Sequence, residues 1–276
     1  MNVGSKIYHY TDFNSLKGII KYGELWLFST KGMNDPEEMA PYIDMFKEYL
    51  IEIHPNPTES NRFKIEDWFN KNRNVFVSPA YIMAFSERED DAAQWERYAL
   101  RGKGVCIEFD ADQLGLIAKA NDMELEPIIY DNGSEDGIFD EKLIEQMLEY
   151  MESQTLPYGY DTDKGFFQDI IAKACMYKGR FYSSEMEYRL ALPAPILEKD
   201  RKKLKYLVKE DEIKEYYPLN WKQEADSQGI KYNDIVKKII VGNKSPQDFY
   251  TLKNYMHNTN NAWASDLIKQ SLCPMR

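Results

Sequence analysis

Two hydrophobic periods run through this chain. KIYHY (6–10), ELWLFS (24–29), YIMAFSE (81–87) and GVCIEFD (104–110) read as strands, in which successive side chains point to opposite faces with a period of two. Elsewhere apolar residues return every three or four positions. TDFNSLKGIIKYG places Leu16, Ile19 and Ile20 on one helical face, with Thr11 or Asp12 at its start and Gly23 past its end. NDPEEMAPYIDMFKEYLIEI reads as a helix with Asp35 at the cap, Pro36 at the first helical position and Glu37 and Glu38 in the first turn. HPNPTES is a turn-rich break and 61–73 is helical. DDAAQWERYALR, DQLGLIAKA and 246–257 also read as helices, as does a long stretch over about 136–178 that PYGYDTDKG divides. MELEPIIYD, EYRLAL, LKYLVK and DIVKKIIVG read as further strands, followed by a terminal one. Strands outnumber crossover helices and several lie too close together for parallel βαβ units. The expected class is α+β with a largely antiparallel sheet. Without an internal repeat or a Gly/Ser linker, residues 1–276 read as one domain with helical insertions around 36–73 and 134–180.

Composition narrows the functional classes. Apolar residues at 43% and charged residues at 29% are ordinary for a globular chain, while 20 Tyr and 13 Phe suit clefts and interfaces as well as cores. No apolar run approaches the roughly 20 residues of a membrane helix, and MNVGSKIYHYTD enters a structured pattern without a leader-like segment. Cys106, Cys175 and Cys273 are widely spaced and read as reduced, buried thiols, which implies a cytoplasmic protein. The net charge of −11 argues against a general DNA-coating role. The basic run KDRKKLKYLVK is followed at once by EDEIKE and reads as a solvated hairpin. No GxGxxG, Walker loop, GxSxG elbow or CxxC occurs, and His9, His54 and His257 lack metal-like spacing, so no metal site is expected.

Four stretches carry polar groups that a plain core does not need. In IYHYT, His9 shares a strand face with Ile7 and Thr11. In FSTKGMNDPEE, Ser29 and Asn34 remain after Asp35 is assigned to capping. In QWERYALRGKG, Trp95 and Tyr98 lie three apart on one helix face, a spacing that usually means packing. Finally, SSEMEYRLAL (183–192), with Lys178 a short distance ahead of it, reads as a strand with Glu185, Glu187 and Arg189 on one face, about 7 Å apart in turn, and Met186, Tyr188, Leu190 and Leu192 on the other. That polar face is either surface decoration or a catalytic wall. A carboxylate there can hold a ribose hydroxyl or stabilise positive charge at a glycosidic carbon.

The series YHYT, LWLFS, NDPEE, AFSE, QWERYALRGKGVCIEFD, a lysine followed by EMEYRL, and IVKKIIVG resembles the bacterial domain-of-unknown-function 2971 family, from about residue 6 to the end. One departure is visible: Phe181 stands where the family usually shows a tryptophan, and its aromatic packing is expected to survive the exchange. That family is in turn similar to the ADP-ribosyltransferase superfamily of DarT toxins, RNA 2′-phosphotransferases and poly-ADP-ribose polymerases. The resemblance implies a split, mostly antiparallel sheet with NAD bound between its halves, NAD being substrate and no metal being needed. It implies that His9 holds the adenosine-side ribose, that Thr11 orients nicotinamide, and that Ser29, with Phe28 as substitute, supplies the second-strand residue. Glu187 then matches the superfamily glutamate and Glu185 the earlier acid of a Glu-x-Glu pair. Asn34, Tyr98 and Arg189 complete the candidate binding set. The implied activities are transfer of ADP-ribose from NAD to a protein, nucleic acid or small molecule by a toxin or phage-defence effector, NAD glycohydrolysis, or an inactive nucleotide- or partner-binding scaffold.

Overall fold

The computed structural model describes residues 5–32, 39–56, 58–76, 80–131, 138–153, 163–193, 201–208 and 212–274. Its strands are β1 (Lys6–Thr11), β2 (Glu24–Ser29), β3 (Tyr81–Ser86), β4 (Val105–Asp110), β5 (Glu124–Pro127), β6 (Ile129–Tyr130), β7 (Tyr177–Lys178), β8 (Glu187–Leu192), β9 (Lys205–Val208), β10 (Ile213–Asn220), β11 (Val236–Val241) and β12 (Ile268–Gln270). Its helices are α1 (Phe13–Lys17), α2 (Ala40–Ile53), α3 (Glu59–Phe76), α4 (Ala92–Tyr98), α5 (Ala111–Lys119), α6 (Glu141–Ser153), α7 (Asp163–Cys175), α8 (Trp221–Gln228), α9 (Tyr232–Ile235) and α10 (Phe249–Asn258). The class is α+β and the sheet mostly antiparallel, with β11–β12 and the separate β6–β7 pair parallel.

Several local signals act as the sequence suggests. Asp12, not Thr11, caps α1 by accepting from Ser15 N at 2.7 Å. The chain then passes through one π-turn, Gly18–Tyr22, that ends at left-handed Gly23. The basic run forms the hairpin β9–β10, in register from Ile213↔Val208 to Tyr216↔Lys205. Other elements differ. MELEPIIYD breaks at Pro127 into two strands with different partners: β5 pairs with β8, and β6 with β7. DIVKKIIVG opens as the helical turn α9 before β11. Neither the helix α8 nor the run of β10 past the hairpin was expected, and β10 contains Pro218, a residue that strands usually exclude. It is tolerated because β9 pairs only as far as Tyr216, which leaves one edge of β10 open beyond it. The expected start of α2 at Asp35 and the PYGY part of the dividing turn lie outside the described residues.

Ten strands form one sheet in the order β12-β11-β4-β1-β3-β2-β10-β9, with β8 and β5 joining beside β3. β8 takes one whole edge of β3, from Tyr81↔Leu192 to Ser86↔Glu187. The other edge is divided: β2 holds it at Tyr81 and Ile82, and β1 touches it at Ser86. The sheet therefore forks at β3.

Side-chain alternation distributes the cores. Ile7, Leu25, Met83, Phe85, Ile107 and Leu190 point into a first core covered by α1, α5, α8, α9 and α10. On the opposite face α2, α3, α6 and α7 pack as one cluster over Ile82 and Ala191. A smaller cluster of Tyr8, Tyr10, Trp95, Cys106, Ile240 and Cys273 covers the β1–β4–β11 end of that face. All three cysteines are buried and none is in a disulfide. Among the described residues no helix is long and apolar enough to cross a membrane.

Candidate functional site

A cavity of about 390 Å³ opens between these two clusters, where the sheet forks. Such a volume falls within the range of small-molecule sites. Its floor comes from β1 and β3, through Tyr8, His9, Tyr10, Ala84 and Ser86. Gln94 and Tyr98 of α4 form one wall, and Lys178, Tyr182, Glu185, Glu187 and Arg189 form the other.

α4 presents a polar face because both its start and its apolar side are fixed. Asp91 caps it by accepting from Ala93 N at 3.0 Å and Gln94 N at 3.1 Å. Trp95 is fully buried, edge-on to Tyr10 at 5.2 Å, and donates Nε1–H to Asp90 at 2.8 Å. Gln94, Arg97 and Tyr98, at positions i, i+3 and i+4, then share the other face, and all three reach Glu185. Arg97 Nη1 lies 2.9 Å from Glu185 Oε1, and Tyr98 donates its hydroxyl to the same oxygen at 3.0 Å. Gln94 Nε2 and Ser86 Oγ donate to the Glu185 carbonyl at 3.4 and 2.6 Å. Trp95 and Tyr98 therefore do not pack together as their spacing suggested. Burial, and then the Glu185 carboxylate, push the Tyr98 phenol up to about 12.

The Glu-x-Glu stretch is not a continuous strand. Residues Arg180–Glu185 form a 3-10 turn, Met186 is left-handed (φ 45°), and β8 starts at Glu187. This corrects the alternating reading: Met186 is 40% exposed instead of core, while Glu185, Glu187 and Arg189 are all buried. The turn brings both acids to one cation. Lys178 Nζ lies 2.9 Å from Glu185 Oε2 and 2.9 Å from Glu187 Oε2. It also sits 4.7 Å from the centre of the Tyr182 ring. Arg189 donates Nε–H to Glu187 Oε1 at 2.7 Å and Nη1–H to the Cys175 carbonyl at 2.8 Å. The Tyr130 hydroxyl accepts from Glu187 N at 2.8 Å. Burial alone would raise the Glu187 carboxyl, but Arg189 and Lys178 together outweigh it and hold the group below the usual carboxylate range. Burial likewise opposes the charge on Lys178, and Glu187 and Glu185 overcome it, so the ammonium is held charged well beyond its ordinary range.

His9 fills the fork itself. Its Nδ1 is 2.8 Å from the Ala84 carbonyl, and its ring lies 5.6 Å from that of Phe85. A carbonyl only accepts, so Nδ1 carries the proton and Nε2 is left as an acceptor. Burial lowers the imidazole's proton affinity more than Ala84 and Asp12 restore it, so the ring is neutral at pH 7.

Of the residues singled out in the sequence, His9, Tyr98, Glu185, Glu187 and Arg189 line the one cavity. Thr11 and Ser29 are buried and do not line it. Asn34 lies outside the described residues. Phe181 is 84% exposed beneath Arg180, so aromatic packing at that position is lost. Sequence reasoning missed Gln94, Arg97, Ser86 and Tyr182, and marked Lys178 only as the lysine ahead of the Glu-x-Glu stretch, with no role assigned to it. The i, i+3, i+4 set of polar groups opposite Trp95 was the available signal for Gln94, Arg97 and Tyr98. Among the described residues no group of His, Cys, Asp and Glu is arranged to hold a metal ion.

A family model described as a protein of unknown function, DUF2971, matches residues 94–190. The matched stretch runs from the polar face of α4 through Lys178 to Arg189, and leaves out His9. Searches of curated proteins and of solved structures return no match.

Proposed function

We propose that this protein cleaves the nicotinamide–ribose bond of NAD and transfers ADP-ribose to an acceptor, in the manner of an ADP-ribosyltransferase. One observation carries the reading: a histidine from the first strand and a glutamate from a late strand line the same tyrosine-rich cavity at a fork in the sheet. His9 Nε2 is suited to accept a ribose hydroxyl. Glu187 Oε1 has Arg189 Nε–H as its hydrogen-bond donor and keeps lone-pair capacity toward a second hydroxyl. As the bond from the anomeric carbon to nitrogen breaks, its electron pair leaves with nicotinamide, and positive charge develops on the ribose. A fixed carboxylate stabilises that charge, and the aromatic walls limit water. The acceptor then bonds to the anomeric carbon and releases a proton.

The test is nicotinamide release from NAD by the purified protein. Glu187→Gln keeps the shape of the side chain and is expected to leave the fold intact while lowering turnover by about 10²–10³-fold, the scale of a lost transition-state electrostatic contact. Equal turnover by wild type and variant would overturn the assignment. NAD labelled in its adenosine half then separates transfer, which leaves label on a macromolecule, from hydrolysis. A second reading, nucleotide binding without turnover, is favoured by the pairing of both carboxylates with cations. Saturable NAD binding with no nicotinamide released would select it.

A further inference from the structure

Glu185 and Glu187 look equivalent in the sequence, but their surroundings differ. The Glu185 carboxylate meets Arg97, Tyr98 and Lys178, and its carbonyl is held by Ser86 and Gln94. It is an anchored group, tied to three elements. Lys178 comes from β7, which is not part of the main sheet. Pairing with β6 (Ile129↔Tyr177, Tyr130↔Lys178) holds it there, and Tyr130 also binds the Glu187 backbone. The ammonium is thus gripped by Glu185 and the Tyr182 ring on one side and presented to Glu187 on the other.

We propose that Lys178, anchored by Glu185, is a positioning residue: it fixes the Glu187 carboxylate in its place on the cavity wall and serves as its resident counter-charge. The inference builds on the function proposed above, since it assigns Glu187 the direct role and gives Glu185 a supporting one. The charged and titratable groups around Glu187 are Arg189 on its own strand, Lys178 on β7, Tyr130 on β6 and His9 on β1, with Glu185, Arg97 and Tyr98 behind Lys178. Arg189 takes Oε1 at 2.7 Å and reaches Oε2 only at 3.4 Å, whereas Lys178 takes Oε2 at 2.9 Å. Arg189 alone therefore holds Oε2 only through its longer contact, and Lys178 supplies the short one.

The experiment is an NMR titration of the Glu187 carboxyl, assigned by its loss in Glu187→Gln. It needs no turnover, so it succeeds or fails separately from the NAD reading. An opposite charge at this range shifts a carboxyl by about 1–3 units. With Arg189 retained, Lys178→Met is expected to raise the midpoint by about one unit, Lys178→Arg to restore most of it, and Glu185→Gln to give a smaller rise. The acid limb of nicotinamide release should move to higher pH by the same amount, because less of Glu187 stays ionised as pH falls. A folded Lys178→Met protein with an unmoved midpoint, or one that loses only thermal stability, overturns the proposal. Lys178→Gln carries the same test if the methionine variant does not fold, and failure of both to fold would make Lys178 a stability residue and refute the positioning role. A moved midpoint with no NAD turnover in wild type would retire the NAD reading and leave this assignment standing.

Discussion

Arg189→Met is the perturbation whose consequence follows most directly from the geometry. The guanidinium is 1% exposed, bonded to Glu187 and to the Cys175 carbonyl at the end of α7. Methionine fills much of the stem's volume but leaves a buried carboxylate with Lys178 as its main counter-charge and the carbonyl without this donor. Removing one partner of a buried ion pair costs about 3–5 kcal/mol. With a urea slope of about 3 kcal/mol per molar, the unfolding midpoint falls by about 1–1.7 M. The deficit is also pH-dependent. In wild type the Glu187 carboxyl lies below its unfolded value of about 4.3, so its pairing stabilises the fold above that pH and is lost as pH falls through the lower folded value. In the variant the carboxyl rises, takes up a proton at higher pH and relieves part of the penalty. Urea unfolding followed by tryptophan fluorescence at pH 7.5 and pH 5 should therefore show the larger wild-type-to-variant gap at pH 7.5. A gap under 1 kcal/mol, or one equal at both pH values, would refute the claim that Arg189 compensates a buried charge.

Other expectations test separate parts of the site. His9→Ala removes one hydrogen bond at the fork and the acceptor offered to the ligand. It should weaken NAD binding by about tenfold in calorimetry while costing only about 1 kcal/mol of stability. The opposite ranking would make His9 a sheet residue alone. Gly104 approaches the Thr11 carbonyl so closely that an added Cβ would lie 2.2 Å from it. Gly104→Ala should lower stability by about 3 kcal/mol, seen as a drop in Tm, because backbone on both sides must move. Unchanged melting would mean that the turn from α4 into β4 is looser than this contact requires.

Most strands were legible because short runs rich in aliphatic and aromatic residues mark them, as in β1, β2 and β4. The fork at β3 was not legible from alternation. It depends on β1 and β2 meeting the same edge at opposite ends, which pairing decides and local sequence does not. The length of β10 was not legible for the same reason: pairing with β2 carries it through Pro218 to Asn220. In the site, Glu187 and Arg189 could be placed on one face because they lie within β8. Glu185 joins them in the cavity by a different route from the expected strand register: Met186 turns left-handed and brings both acids onto Lys178. Arg97 and Gln94 were not legible because polar residues on a short helix usually face solvent, and only Glu185, distant in sequence, gives these two a partner.

The central claim is that a dinucleotide lies between His9 and Glu187. It is tested most directly by an experimental structure of Glu187→Gln, in which turnover is expected to be slowed, soaked with NAD. The account predicts NAD in the cavity below α4, with a ribose hydroxyl in hydrogen-bond range of residue 187 and another near His9 Nε2. An empty cavity at millimolar NAD, or NAD bound on another face of the sheet, would contradict it.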